Sequence, residues 1–259
     1  MNLLALAWLL FIVGCAAPGP AIDQAVTRNN AKTYAYRDVS GTFELSREVR
    51  LEKAKLATRV QIYNSTSSGE KLLEKTFAIS AIGSVQTRAG RSLAIRPEHS
   101  QHTVWLEGKK YFSQLKLNPR TKKLEALLES PESRWNGRKD IAVPKGRVFC
   151  FYSQLPECLV AGNMLALAKS SKGPLRFFVV WDSWPYHQEH FTGLGPAAFV
   201  RASLSLEGRQ QGHTRYIVEI NGQLLNLHFS KEGSFIRMFW TTQGISIMPP
   251  GEVEDNQEI

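Results

Sequence analysis

The chain has only three cysteines in 259 residues, and no apolar run approaches the twenty or so residues that a helix needs to cross a bilayer about 30 Å thick. Common catalytic signatures are also missing. There is no Gly-x-Ser-x-Gly elbow, no phosphate-binding glycine loop and no His-Glu-x-x-His zinc helix. Ser113-Gln114-Leu115-Lys116 reads as Ser-x-x-Lys, but no Ser-Asp-Asn or Lys-Thr-Gly completes a penicillin-binding pattern. These absences lower the expectation of an enzyme without excluding one. No solenoid-length repeat occurs, and no sharp linker divides residues 34–250.

What is present describes an ordinary globular protein. Aromatics make up 10% of the chain and charged residues 21%, a balance unlike that of disordered chains. The formal net charge is +9 and is unevenly placed. Residues 16–150 hold 24 Lys and Arg against 13 Asp and Glu, whereas residues 151–259 hold 8 against 10. Such a basic half suits an anionic envelope component or an acidic partner protein, or it is the solvated outer face of amphipathic strands.

The amino terminus carries the most specific signal. Leu3 to Val13 is an uncharged apolar stretch of export-signal length, although no Lys or Arg precedes it. It ends in Ile12-Val13-Gly14-Cys15, which resembles the lipobox of bacterial lipoproteins. The resemblance implies removal of residues 1–14, acylation of Cys15 as the mature amino terminus, and attachment to the membrane through several buried acyl chains. Ala16, rather than Asp, follows the cysteine, which in that family implies the outer membrane and a periplasmic or surface-facing domain. In that compartment nucleic acid is not an expected partner. Cys150 and Cys158 then form an even pair in an oxidising setting, favouring a disulfide. Seven residues separate them, unlike a catalytic dithiol, and two cysteines without nearby paired histidines do not make a four-ligand zinc site.

After a tether over residues 15–33, containing Pro18, Gly19 and Pro20, short period-two segments dominate residues 34–250. His102 to Glu107 and Tyr111 to Leu117 form one expected hairpin, with Gly108-Lys109 between them. Lys123 to Leu128 fits a returning strand or a helical turn equally well. Four further runs, Ala197 to Leu206, Thr214 to Ile220, Gln223 to Phe229 and Ser234 to Thr241, are joined by Glu207-Gly208, Asn221-Gly222 and Lys231-Glu232-Gly233. Asn-Gly in such a position favours a type I′ turn, because both central residues must accept positive φ. Residues 156–169 predict one bracing helix, with Pro156 in its first turn and Glu157 facing its positive end. The acidic tail is residues 251–259. The fold class expected is mostly β, an antiparallel sheet of half-barrel or sandwich-like form with that one helix.

The densest collection of reactive side chains is Trp181 to His190, directly after the apolar strand Leu175 to Val180. Trp181, Trp184 and Tyr186 are candidate ligand-binding aromatics, with a core corner as the plainer reading. His187 and His190, with Glu189 or Asp182, are weak metal candidates. Their spacing matches neither orientation of the zinc-helix motif, and on a strand the two histidines would face opposite sides. His99 and His102 beside Glu98 would supply missing ligands only if folding brought the two regions together. No catalytic residue, cofactor or metal is assigned.

The combination of lipobox, tether, antiparallel sheet and bracing helix resembles the periplasmic half-barrel lipoprotein carriers and their relatives of unknown function. This architectural resemblance covers roughly residues 34–250 and transfers no functional residue. It implies a non-enzymatic, lipid-anchored protein that binds a lipid-type or glycan-type envelope component or scaffolds a partner. A groove containing Phe177, Phe229, Phe239 or Trp240 would point to a lipid-type ligand. The rival is a hydrolase or metal-assisted enzyme centred on Asp182, His187, Glu189 and His190.

Overall fold

The computed structural model describes residues 31–250 apart from 39, 67, 68, 88, 89, 146, 147, 191, 192 and 211. Cys15, nearly all of the expected tether and the acidic tail lie outside the described residues. No helix among the described residues is long and apolar enough to cross a membrane.

Two sheets account for most of the fold. The first is an eight-stranded antiparallel meander in chain order: β1 (Lys32–Arg37), β2 (Phe43–Glu52), β3 (Lys55–Thr66), β4 (Gly69–Thr87), β5 (Gly90–Leu106), β6 (Lys109–Asn118), β7 (Lys123–Glu129) and β8 (Gly137–Ala142). The second has seven strands: β9 (Phe149–Phe151), β10 (Leu175–Val180), β11 (Phe199–Gln210), β12 (His213–Ile220), β13 (Gln223–Phe229), β14 (Phe235–Trp240) and β15 (Ile245–Ile247). Its neighbours are antiparallel except β9 and β10, which run parallel. Between those two strands the chain makes α1 (Leu155–Ala161) and α2 (Met164–Ser170). A crossover of this kind is what a parallel pair requires. An isolated bridge between Arg37 of β1 and Met248, just after β15, links the edges of the two sheets through hydrogen bonds of 2.8 and 3.0 Å.

The mostly β expectation holds, and the differences have local causes. The region over residues 156–169 is two short helices, because Asn163 adopts a left-handed conformation at φ 56° and interrupts the ladder just after Gly162. Lys123 to Leu128 is strand: Leu124, Ala126 and Leu128 are buried on one face, a period of two that a helix would scatter. The turn before β6 is Glu107-Gly108, since Leu106 pairs with Lys109. Glu207-Gly208 is not a turn. β11 runs through it with a register shift at Leu206/Gly208 and continues to Gln210. Asn221-Gly222 is a hairpin turn with φ of 51° and 81°, as that dipeptide requires.

The segment Tyr152 to Ala168 holds the two sheets together. Gln154, fully buried, donates its amide to the carbonyl oxygens of Leu56 at 3.3 Å and Ala78 at 3.0 Å, and accepts from Ser80 Oγ at 2.6 Å. A buried amide so fully partnered anchors the start of α1 to β3 and β4. Leu155, Leu159 and Leu165 then join Leu56 and Ile95 of the first sheet to Phe177, Leu204, Val218 and Leu227 of the second in one apolar core. Cys150 on β9 and Cys158 on α1 are paired at disulfide distance, with Cα atoms 6.0 Å apart, and both are buried. The pairing expected from the sequence is therefore in place and ties helix to strand.

Candidate functional site

Val180 ends β10, and the chain turns sharply through Trp181 to Pro185 before a single short helix, α3 (Tyr186–His190). Backbone hydrogen bonds from Trp184 N to Trp181 O (3.0 Å) and Tyr186 N to Ser183 O (2.8 Å) shape this turn, and the Trp184–Pro185 peptide is cis. Trp181 is directed inward. Its ring lies 4.3 Å from that of Tyr152 and stacks on Trp240 at 5.7 Å. These three aromatics form one wall of a cavity of about 180 Å³ between the sheets.

The lining of this cavity divides by element. Leu45 of β2, Ile62 of β3, Leu227 of β13, Met238 of β14 and Ile247 of β15 make it apolar, whereas Glu74 and Thr76 of β4, His102 of β5, and Asp182 and His187 from the segment after β10 are polar. Alternation along β4 and β5 brings Glu74, Thr76 and His102 into the interior, and Thr76 is paired directly with His102 across the ladder. The Thr76 hydroxyl lies 2.9 Å from His102 Nδ1. Glu74 spans two histidines, with Oε1 3.6 Å from His102 Nδ1 and Oε2 3.4 Å from His187 Nε2. Asp182 is tightly satisfied: it accepts hydrogen bonds from Ser153 N at 2.7 Å, from Ser153 Oγ at 2.9 Å and from Ser100 Oγ. Arg47, also on the cavity, is committed to the Ser153 carbonyl at 2.7 Å and to Glu157.

Burial dominates the electrostatics. It pushes the Glu74 carboxyl up to about 8, with the nearby Asp182 charge adding to the rise. It likewise raises Asp182, against the opposing hydrogen bonds from Ser100 and Ser153. His102 is held well below its ordinary value by burial first and then by His187. Two buried polar atoms on residues of the cavity wall, His102 Nε2 and Trp181 Nε1, have no hydrogen-bond partner among the described residues.

The candidates from the sequence separate into two groups. Trp181, Asp182 and His187 line the cavity. Trp184 and Tyr186 do not, and the core-corner reading describes them better. Trp184 donates its Nε1 proton to Pro196 O at 3.1 Å and lies under the Lys139 ammonium at 5.4 Å. Tyr186 is fully buried against Tyr111 and Trp135, and its hydroxyl lies 2.8 Å from Phe112 O and 3.2 Å from Glu129 O. Glu189 is exposed, and His190 closes α3. The rival enzyme centre is therefore not assembled as the four residues expected. Of the aromatics considered for a groove, Trp240 lines the cavity, while Phe177 and Phe229 are packed in the core and Phe239 meets His228 at 5.5 Å.

No protein-family model, curated protein or solved structure matches this chain.

The functional reading accordingly rests on the residues themselves. Glu74 and Thr76 escaped sequence analysis because a Glu and a Thr in an amphipathic strand read as outer-face residues. The signal available was His102, flagged as a distant partner for the Trp181 to His190 segment; the fold delivers it. His99, its companion in sequence, lies elsewhere, 2.8 Å from Gln114 Nε2.

Proposed function

We propose that this is a non-enzymatic cell-envelope protein, anchored by lipid at Cys15 in the outer membrane, whose inter-sheet cavity holds the apolar part of a small amphiphile. The carrying observation is the division of the cavity wall. Aliphatic and aromatic side chains supply most of it, while Glu74, His102, Asp182 and His187 collect on one set of neighbouring elements. A mostly apolar pocket with a few convergent polar groups is the usual form of a small-molecule site. The unpartnered His102 Nε2 and Trp181 Nε1 add to this reading, because a ligand head group could satisfy either.

Trp181 and Trp240 provide the readout. A fluorescent fatty-acid-type probe added to the purified full chain should change tryptophan emission and bind with one-to-one stoichiometry. Ile62→Trp, which fills the half-buried apolar side of the cavity, should abolish that change while leaving the far-ultraviolet circular dichroism intact. Absence of saturable binding, or unchanged binding by folded Ile62→Trp protein, would overturn the reading.

A second reading, metal-assisted hydrolysis, is favoured by one observation: Asp182 and His187 share the cavity with His102 and Glu74. It requires ester or amide hydrolysis that a chelator abolishes.

A further inference from the structure

Glu74, His102 and His187 bring three ligating atoms within 4.8 Å of one another. The Glu74 carboxylate lies between the two rings, with Oε1 3.6 Å from His102 Nδ1 and Oε2 3.4 Å from His187 Nε2. The three come from β4, β5 and α3, so each is placed by a different element and none by chance adjacency in sequence. We propose that these residues form a binding site for one divalent first-row metal ion, zinc by its donor chemistry, with the remaining coordination position open to the cavity.

Several observations support this assignment. Two imidazoles and one carboxylate suit zinc better than calcium or magnesium, which prefer oxygen alone. Three protein ligands with one open position is the arrangement of zinc sites that receive an exogenous ligand, whereas purely structural sites are closed by four. All three residues line the cavity, so the open position faces space that a ligand can enter. His102 is 1% exposed, and its ring is held in place by the Thr76 hydroxyl 2.9 Å from Nδ1.

The sequence assigned no metal because the spacing of His187 and His190 matches no zinc-helix motif and on a strand the two would face opposite sides. The segment is a helix, and His187 finds its partners on the first sheet instead. This site does not depend on the amphiphile reading, because it needs only the three side chains.

The test uses tag-free full chain, stripped with a chelator, dialysed and titrated with zinc chloride in a calorimeter. One zinc per chain is expected, together with a zinc-dependent rise in Tm. His187→Ala removes one imidazole ligand, and Glu74→Gln keeps the carboxylate shape without its charge. Each should weaken zinc by roughly 100-fold and abolish the Tm rise while the protein remains folded by circular dichroism. Cobalt provides a second measurement: the wild-type chain should show the visible absorption of four-coordinate cobalt, and His187→Ala should lose it. Substoichiometric zinc in the folded wild type, or undiminished zinc in folded His187→Ala and Glu74→Gln proteins, would overturn the site. Acyl-probe binding that persists in chelator would leave the amphiphile reading standing when the metal site fails, so the two failures are distinguishable.

Discussion

His102 and His187 meet edge to face with ring centroids 5.1 Å apart, and the Glu74 carboxylate reaches both. One histidine belongs to a central strand of the first sheet and the other to a helix following the second sheet's β10. Their contact is therefore a consequence of how the sheets close on each other. The Gln154 amide, which clips α1 to β3 and β4, and the Cys150–Cys158 pair, which clips α1 to β9, act on the same closure.

Lipidation is the first expected outcome. Mass spectrometry of the chain extracted from membranes should show residues 1–14 missing and acyl mass on Cys15. Cys15→Ser should release the protein from the membrane fraction. A retained, unmodified amino terminus would sink the anchor.

Oxidation of Cys150 with Cys158 should protect both from alkylation under denaturing, non-reducing conditions. Reduction should expose two thiols and lower stability by about 2.5 kcal/mol, the chain-entropy estimate for so short a loop. Denaturant melts with and without reductant measure the difference, and two thiols labelled before reduction would contradict it.

Tyr186→Phe should destabilise the fold by about 1–3 kcal/mol, because the backbone carbonyls of Phe112 and Glu129 lose a shared buried donor. It should leave acyl-probe and zinc binding unchanged in the folded protein, since Tyr186 is outside the cavity. Weakened binding with unchanged stability would return Tyr186 to the ligand site.

Acid sensitivity should have an identifiable share from His228. Burial first, then the charges of Arg237, Arg215 and His213 against that of Glu207, hold its imidazole down to about 4 in the folded protein. Its neutral Nδ1 accepts a hydrogen bond from Arg237 Nε at 3.1 Å. In the unfolded chain the same group binds a proton near pH 6.5. The unfolded state thus takes up a proton that the folded state refuses, and the stability present above pH 6.5 is lost as pH falls toward 4. Urea melts should give wild type a stability slope steeper than that of His228→Asn by up to about 1.4 kcal/mol per pH unit in this window. Equal slopes would remove His228 as the cause.

Local pattern was enough to read β6 and most strands of the second sheet. Leu175 to Val180 and Gln223 to Phe229 coincide with β10 and β13, and Asn221-Gly222 turns where its dipeptide demands. The cysteine pair was legible for a similar reason: both partners lie within one short segment, and the compartment implied by the lipobox resemblance left them no other expected role. The alternation in Lys123 to Leu128 did not by itself separate strand from helical turn, and burial of Leu124, Ala126 and Leu128 against the sheet decided it.

The amino-acid sequence by itself determined the β character, the hairpin at Asn221-Gly222, the proximity of Cys150 to Cys158 and the concentration of reactive groups in Trp181 to His190, because each depends on residues near one another along the chain. The tertiary structure alone decided which of those groups share a cavity. It turned Trp181 toward Tyr152 and Trp240, buried Tyr186 in a separate aromatic cluster, and set His187 beside Glu74 and His102. The physical reason is that period-two alternation specifies which face of a strand is buried, but the neighbour across that face is set by how two sheets and an intervening helical segment pack, and no local spacing encodes it.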